Sequence, residues 1–188
     1  MIPQPLIVLA PPFGDSSRVA AILGGHPDAC LLPELHLTMA GSVGDLLDVF
    51  AVASGGYEYG LLRTVAEWFC GGQNEAGVDG AWEWLRRRAD RSCEMLLWEF
   101  AERIAPRQIV LPDSSAGWRP DTLRLLAAMF PGAPWLHLLM HPRVYSAATI
   151  PQLRGRLHIA PDFRDHRIDT PLLDPQVAWY RVHLNIDN

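Results

Sequence analysis

The chain has 188 residues, 49% of them hydrophobic and 20% charged, with 21 acidic against 16 basic side chains and a net charge of −5. That acidic excess argues against nucleic acid as a partner, which calls for a basic face, and no apolar run approaches the ~20 residues that span a bilayer. All 16 basic residues are arginine, so any mechanism requiring a catalytic lysine is excluded.

Leu6, Ile7, Val8 and Leu9 form an apolar run that reads as a buried strand over 6–10. A Pro/Gly/Asp/Ser turn follows, and then a helix over 16–24 with Asp15 or Ser16 as its N-cap. A short second strand over 29–32 closes at Pro33. Helical segments are expected at about 38–52, 58–71, 79–89 and 92–105, separated by glycine-rich stretches. In 58–71, Leu61, Leu62, Val65, Trp68 and Phe69 recur at helical spacing; the apolar residues of 92–105 are more crowded, as in a helix buried on several sides.

A second clear strand begins at Gln108 and runs to Leu111, and a helix opens at Pro120 and stops at Pro131-Gly132. Residues 135–140 read as a third strand, 143–149 as a helix, 151–173 as irregular, and the remainder from about Asp174 as a last amphipathic helix. Three cysteines, Cys30, Cys70 and Cys93, are odd in number and lack metal-ligand spacing, so reduced thiols and no metal are expected. The start lacks a basic export region, which makes the cytoplasm the expected location.

Strands separated by helices imply an α/β fold, a parallel sheet flanked by helices with right-handed crossovers. Ligands on such sheets bind at the carboxyl ends of the strands, here residues 11–17, 112–118 and 140–143. The three turns are expected to converge on one cleft. The first of them joins a strand to a helix N-terminus, where unpaired N–H groups and the helix dipole favour phosphate or sulfate.

That stretch also carries a family resemblance. Pro12, Ser16, Ser17, His26, Pro27, Pro33, Glu34 and His36 match, without gaps, a strand followed by P-R-S-x-[ST]-[ST], a helix, HP and a PELH segment. The segments GLLRTVAEWFCGGQ, WEWLRRRA, APRQIVLPDSSAGWRPDTL and FPGAPWLHLLMHPR continue the pattern. In this the chain resembles bacterial sulfotransferases that use 3′-phosphoadenosine 5′-phosphosulfate. The resemblance implies a P-loop-like sulfotransferase fold in one domain over 1–188. A helical insertion at about 38–105 follows the first strand–helix unit, and the chain is short at its C-terminus relative to the family.

It also implies transfer of a sulfuryl group from that donor to a hydroxyl of a small molecule, such as a secondary metabolite. Glu34 aligns with a carboxylate that serves as general base, with His36 beside it. Pro12, Phe13, Gly14, Asp15, Ser16 and Ser17 form the donor cradle, and Arg143 is retained from the H-P-R turn. Read from the residues alone, Glu34 or His36 equally suits a cap of the next helix, and Arg143 a surface position at a helix start.

The sequence departs from the family at its cations. Phe13, Pro112 and Met140 stand where the resemblance implies a loop arginine or lysine, the lysine of K-S-P and the arginine opening R-[DH]-P-R; Ala148 replaces a serine. Asp15 adds a carboxylate at the expected anion site. Charge-assisted bonds contribute ~1.5–3 kcal/mol each, so three lost cations would cost roughly 4–9 kcal/mol if the terms add. Arg18 and Arg119 are the candidates to compensate. Two readings follow: an active sulfotransferase, or a catalytically impaired or inactive binding or scaffold protein on the same fold.

Overall fold

The computed structural model describes residues 2–53, 56–153, 164–165 and 172–188. Its centre is a parallel sheet of four strands: β1 (Leu6–Leu9), β2 (Ala29–Leu31), β3 (Gln108–Asp113) and β4 (Trp135–His137), in the order β2-β3-β1-β4. Leu9 of β1 lies level with Asp113 on one side and His137 on the other, so the three strands end together. Alternate residues face opposite ways. Ile7, Leu9, Ile109 and Leu111 enter the larger core, while Val8 and Val110 face a smaller one. Burial on both faces makes these strands read as unbroken apolar runs.

Helix α1 (Ser16–Gly24) follows β1 and covers the smaller face with Val19, Ala20 and Leu23. Helices α2 (Val43–Val52), α3 (Tyr59–Phe69), α4 (Glu75–Arg86) and α5 (Cys93–Ile104) stand between β2 and β3 and bury their apolar faces in the larger core. Helix α6 (Pro120–Met129) returns the chain from β3 to β4 and puts Leu123, Leu126 and Met129 into that same core. The neighbouring strands β1 and β3 therefore send their connections to opposite faces. Such a reversal opens a crevice at the carboxyl ends of the two strands.

Several boundaries differ from expectation, each for a local reason. The helix expected at 38–52 is a 3₁₀ turn (Leu37–Met39) followed by α2, because the Ser42 hydroxyl accepts from the Asp45 N–H at 3.1 Å and caps a new helix there. Helix α4 begins four residues early, where Asn74 accepts from the Gly77 N–H at 2.9 Å. Strand β4 stops at His137, although the Leu138 N–H still donates to the Leu9 carbonyl at 2.8 Å; Leu139 is already 67% exposed. Helix α7 (Pro142–Leu153) is longer than 143–149 and holds Pro151 in its last turn. The rest of 151–173 lies mostly outside the described residues; within it Arg164–Asp165 (β5) pairs antiparallel with Leu172–Leu173 (β6).

Helix α8 (Pro175–Asp187) closes the chain, capped by Asp174. Its His183 is 4% exposed, with Nδ1 2.6 Å from Nε2 of His137, whose Nδ1 faces the Asp187 carboxylate at 3.0 Å. His137 is thus satisfied, as a core histidine should be, through residues 46 and more positions away. The Trp82/Trp84 and Arg86 to Arg88 stretch is core and outer face: Trp84 stacks on Phe69 at 4.6 Å, and Arg88 lies 3.4 Å over the Trp84 ring while gripping both oxygens of Glu99.

Candidate functional site

The loop from β1 to α1 is tightly bent. The Gly14 N–H donates to the Pro11 carbonyl at 2.8 Å, and Phe13 and Asp15 on either side hold φ of 66° and 63°. Non-glycine residues there cost of order 1 kcal/mol each and cluster at functional sites. A Cβ on Gly14 would lie 2.7 Å from the Pro11 carbonyl oxygen, so the close turn requires glycine. Asp15 occupies the N-cap position of α1, but its side chain accepts no helix N–H. It turns instead to Arg18, with Oδ2 3.5 Å from Nη1. The first amides of α1 are therefore without a side-chain cap, as an anion cradle needs. Ser16 is 4% exposed, and its hydroxyl has no hydrogen-bond partner among the described residues; Ser17 is exposed.

Glu34 arrives from β2. Helix α3 presses on its backbone at Gly60, where a Cβ would come within 1.9 Å of the Glu34 carbonyl oxygen. The carboxylate reaches across the crevice and accepts the Ser114 N–H at Oε1, while Oε2 lies 4.0 Å from His36 Nε2. Burial pushes the Glu34 carboxyl above its ordinary value, opposed by the Ser114 bond and His36 and reinforced by the Asp113 charge. Asp113 holds Ser114 in place: its Oδ1 accepts from the Ser115 N–H at 2.8 Å, the Ser115 hydroxyl at 2.9 Å and the Ala116 N–H at 2.7 Å. His36 has a left-handed backbone (φ 53°) and meets the Tyr57 ring edge-on at 5.0 Å. Its Nδ1 is buried without a partner.

Pro12, Phe13, Asp15, Ser16, Ser17, Arg18, Glu34 and Ser114 line one hollow of about 460 Å³. Gly14 sits in the wall of the loop, and His36 stands behind Glu34. The structure thus assembles two of the three expected turns, those after β1 and β3. The third does not line the hollow. Arg143 is exposed at the second position of α7, and the Met140 carbonyl accepts from Trp179 Nε1 at 2.7 Å. Pro112 is a strand residue opposite Val8. A larger hollow of about 850 Å³ lies between α2 and α4, lined by Asp48, Asp79, Trp82 and the Glu83–Arg86 pair. None of its lining residues belongs to a strand or a strand-end turn, and the N-terminus of α2 beside it is already capped by Ser42, so the strand-end cleft is the better chemical candidate.

Of the groups lining the hollow, Ser114 is absent from the expected site, and Arg18 is expected there only as a candidate to compensate for the missing cations. Ser114 holds the position of proline in K-S-P, and any residue but proline there brings an N–H; that substitution was the available signal. Arg18 lies one turn into α1, where the bend at Asp15 determines its direction, and no spacing rule gives that direction in advance.

No protein-family model matches the chain, and no curated protein matches it. Solved structures do. The chain is similar to the sulfotransferase domain from the Synechococcus PCC 7002 olefin synthase, with a TM-score of 0.74 and 20% identity over 99% of this chain and 63% of that one. It is similar also to the sulfotransferase domain from the curacin biosynthetic pathway, with a TM-score of 0.71 and 21% identity over 99% of this chain and 62% of that one. The chain therefore has the α/β sulfotransferase-domain fold and spans less than two thirds of the length of either neighbour. Among the described residues no helix is long and apolar enough to cross a membrane, and no group of three or more histidines, cysteines or acids is placed to hold a metal.

Proposed function

We propose that this chain is a sulfotransferase that moves a sulfuryl group from 3′-phosphoadenosine 5′-phosphosulfate to a hydroxyl of a small molecule. The observation that carries the proposal is the position of Glu34: a half-buried carboxylate with a raised pKa, tied to Ser114, facing the uncapped N-terminus of α1 across one hollow. The residues present fit such a donor. The close Gly14 turn shapes the loop, the Ser16 hydroxyl lines the hollow without a hydrogen-bond partner among the described residues, and the α1 amides favour an anion. When bound, the donor supplies an activated S–O bond to a good leaving group.

The chain's own part is to orient and to move one proton. Loop amides and Ser16 hold the anion at the end of α1. Glu34 accepts the acceptor hydroxyl's proton as the new S–O bond forms; a carboxylate of raised pKa is the stronger base for that step. Ser114 fixes one Glu34 oxygen and leaves the other for the acceptor, with His36 next to it. Both structural neighbours are named for biosynthetic enzymes or pathways, which supports a secondary-metabolite acceptor. Three free cysteines support action in the cytoplasm, and the helices of 43–104 are taken as an insertion within one domain.

The test is transfer of ³⁵S from labelled donor to a panel of small alcohols, with Glu34→Gln as control. Label on an acceptor, lost in Glu34→Gln, supports the proposal. Donor binding without transfer to any acceptor would favour the binding-protein reading, in which Phe13, Pro112 and Met140 mark a disabled enzyme.

A further inference from the structure

We infer that Arg18 is the cation this cleft presents to the donor, and that Asp15 is a built-in counter-anion that the bound ligand displaces. This rests on the sulfotransferase proposal and assigns a binding pair within its site.

The three positions at which the family resemblance implies cations hold Phe13, Pro112 and Met140. Of the described residues lining the hollow, Arg18 alone is cationic. It sits three residues after Asp15, and the Nη1–Oδ2 contact of 3.5 Å joins side chains that are 76% and 43% exposed. An ion pair that long and that wet contributes little, so it opens without harm to the fold. One carboxylate oxygen engages one nitrogen, and the remaining guanidinium N–H groups have no partner among the described residues; a phosphate or sulfate can accept several.

The neighbouring groups independently call for an anion. Ser16, 4% exposed, lines the same hollow, and its hydroxyl has no hydrogen-bond partner among the described residues. The left-handed backbone of Asp15 keeps its carboxylate off the α1 amides, which a capping aspartate would otherwise occupy. The amides, the Ser16 hydroxyl and Arg18 therefore stand available together; of the two carboxylates that line the hollow, Asp15 is parked on the arginine and Glu34 is tied to the Ser114 N–H. A ligand must out-compete that carboxylate for Arg18. Groups carrying two charges, such as a phosphate ester, do so more readily than monovalent anions.

Calorimetric titration with 3′-phosphoadenosine 5′-phosphate tests this on four proteins: wild type, Arg18→Ala, Asp15→Asn and the double variant. All substitutions are on exposed side chains, and thermal melts confirm folding. Arg18→Ala is expected to weaken binding by ~10-fold or more, and Asp15→Asn to tighten it by about 3-fold, the most that releasing so exposed an ion pair supplies. In the Arg18→Ala background the gain from Asp15→Asn should disappear. Unchanged affinity in Arg18→Ala overturns the inference while leaving the enzyme reading intact, as does an equal Asp15→Asn gain in both backgrounds. If neither wild type nor Asp15→Asn binds at millimolar ligand, the sulfotransferase reading itself fails and takes the inference with it.

Discussion

The contact between β4 and α8 should make stability depend on pH in a defined direction. Burial beside His137 drives the His183 imidazole from its ordinary 6.5 down to about 4, only partly offset by Asp187. The unfolded chain therefore takes up a proton at His183 more readily than the native one. Stability from this group is complete above about pH 6.5 and is lost as pH falls from there toward 4. A shift of that size corresponds to about 3 kcal/mol. Geometry explains why the native state resists: His183 Nδ1 lies 2.6 Å from His137 Nε2, a contact with room for one proton and not two. Its Nε2 is buried with no acceptor to receive a second N–H.

Glu34 titrates in the opposite sense, because its native pKa is raised; acidification through it costs the native state nothing. The assay is therefore a difference. Urea unfolding of wild type and His183→Gln is compared at steps from pH 7.5 to 4. The wild-type advantage should decline by about 3 kcal/mol across that interval. A difference that stays flat would refute the buried-pair account and mean that His183 is protonated or solvated in the native protein.

Three further outcomes are expected. Glu34→Gln should lower turnover by ~10²–10⁴ while leaving the urea midpoint nearly unchanged, since the amide oxygen still accepts from Ser114; Glu34→Ala should in addition lose ~1–3 kcal/mol of stability from the stranded Ser114 N–H. Gly60→Ala, whose Cβ would fall 1.9 Å from the Glu34 carbonyl, should cost ~1–3 kcal/mol in denaturant unfolding and abolish transfer by shifting Glu34. Arg88→Met should destabilise by ~1–2 kcal/mol in thermal melts, because it removes both the bidentate Glu99 pair and the stacking on Trp84.

The sheet was legible in the sequence because β1 and β3 are buried on both faces and leave uninterrupted apolar runs. The loop between β1 and α1 was legible for a similar reason: Pro, Gly, Asp and Ser together admit few other conformations. Side-chain chemistry at turn positions was read less well. Asp15 looked like a cap, yet a left-handed backbone takes its carboxylate to Arg18. Residues 140–143 looked like a third wall of the cleft, yet the Met140 carbonyl is taken by Trp179 of α8. The His137, His183 and Asp187 set and the Glu34–Ser114 bond join residues 46 to 80 positions apart. Pairings at that separation leave no local pattern to read.

Everything functional here depends on an anion binding at the carboxyl ends of β1 and β3. Amide NMR of the ¹⁵N-labelled chain titrated with 3′-phosphoadenosine 5′-phosphate tests that most directly. Shifts concentrated at Gly14, Ser16, Ser17, Arg18 and Ser114 are predicted; shifts confined to the α2–α4 hollow around Asp48 and Asp79, or none at millimolar ligand, would contradict the account.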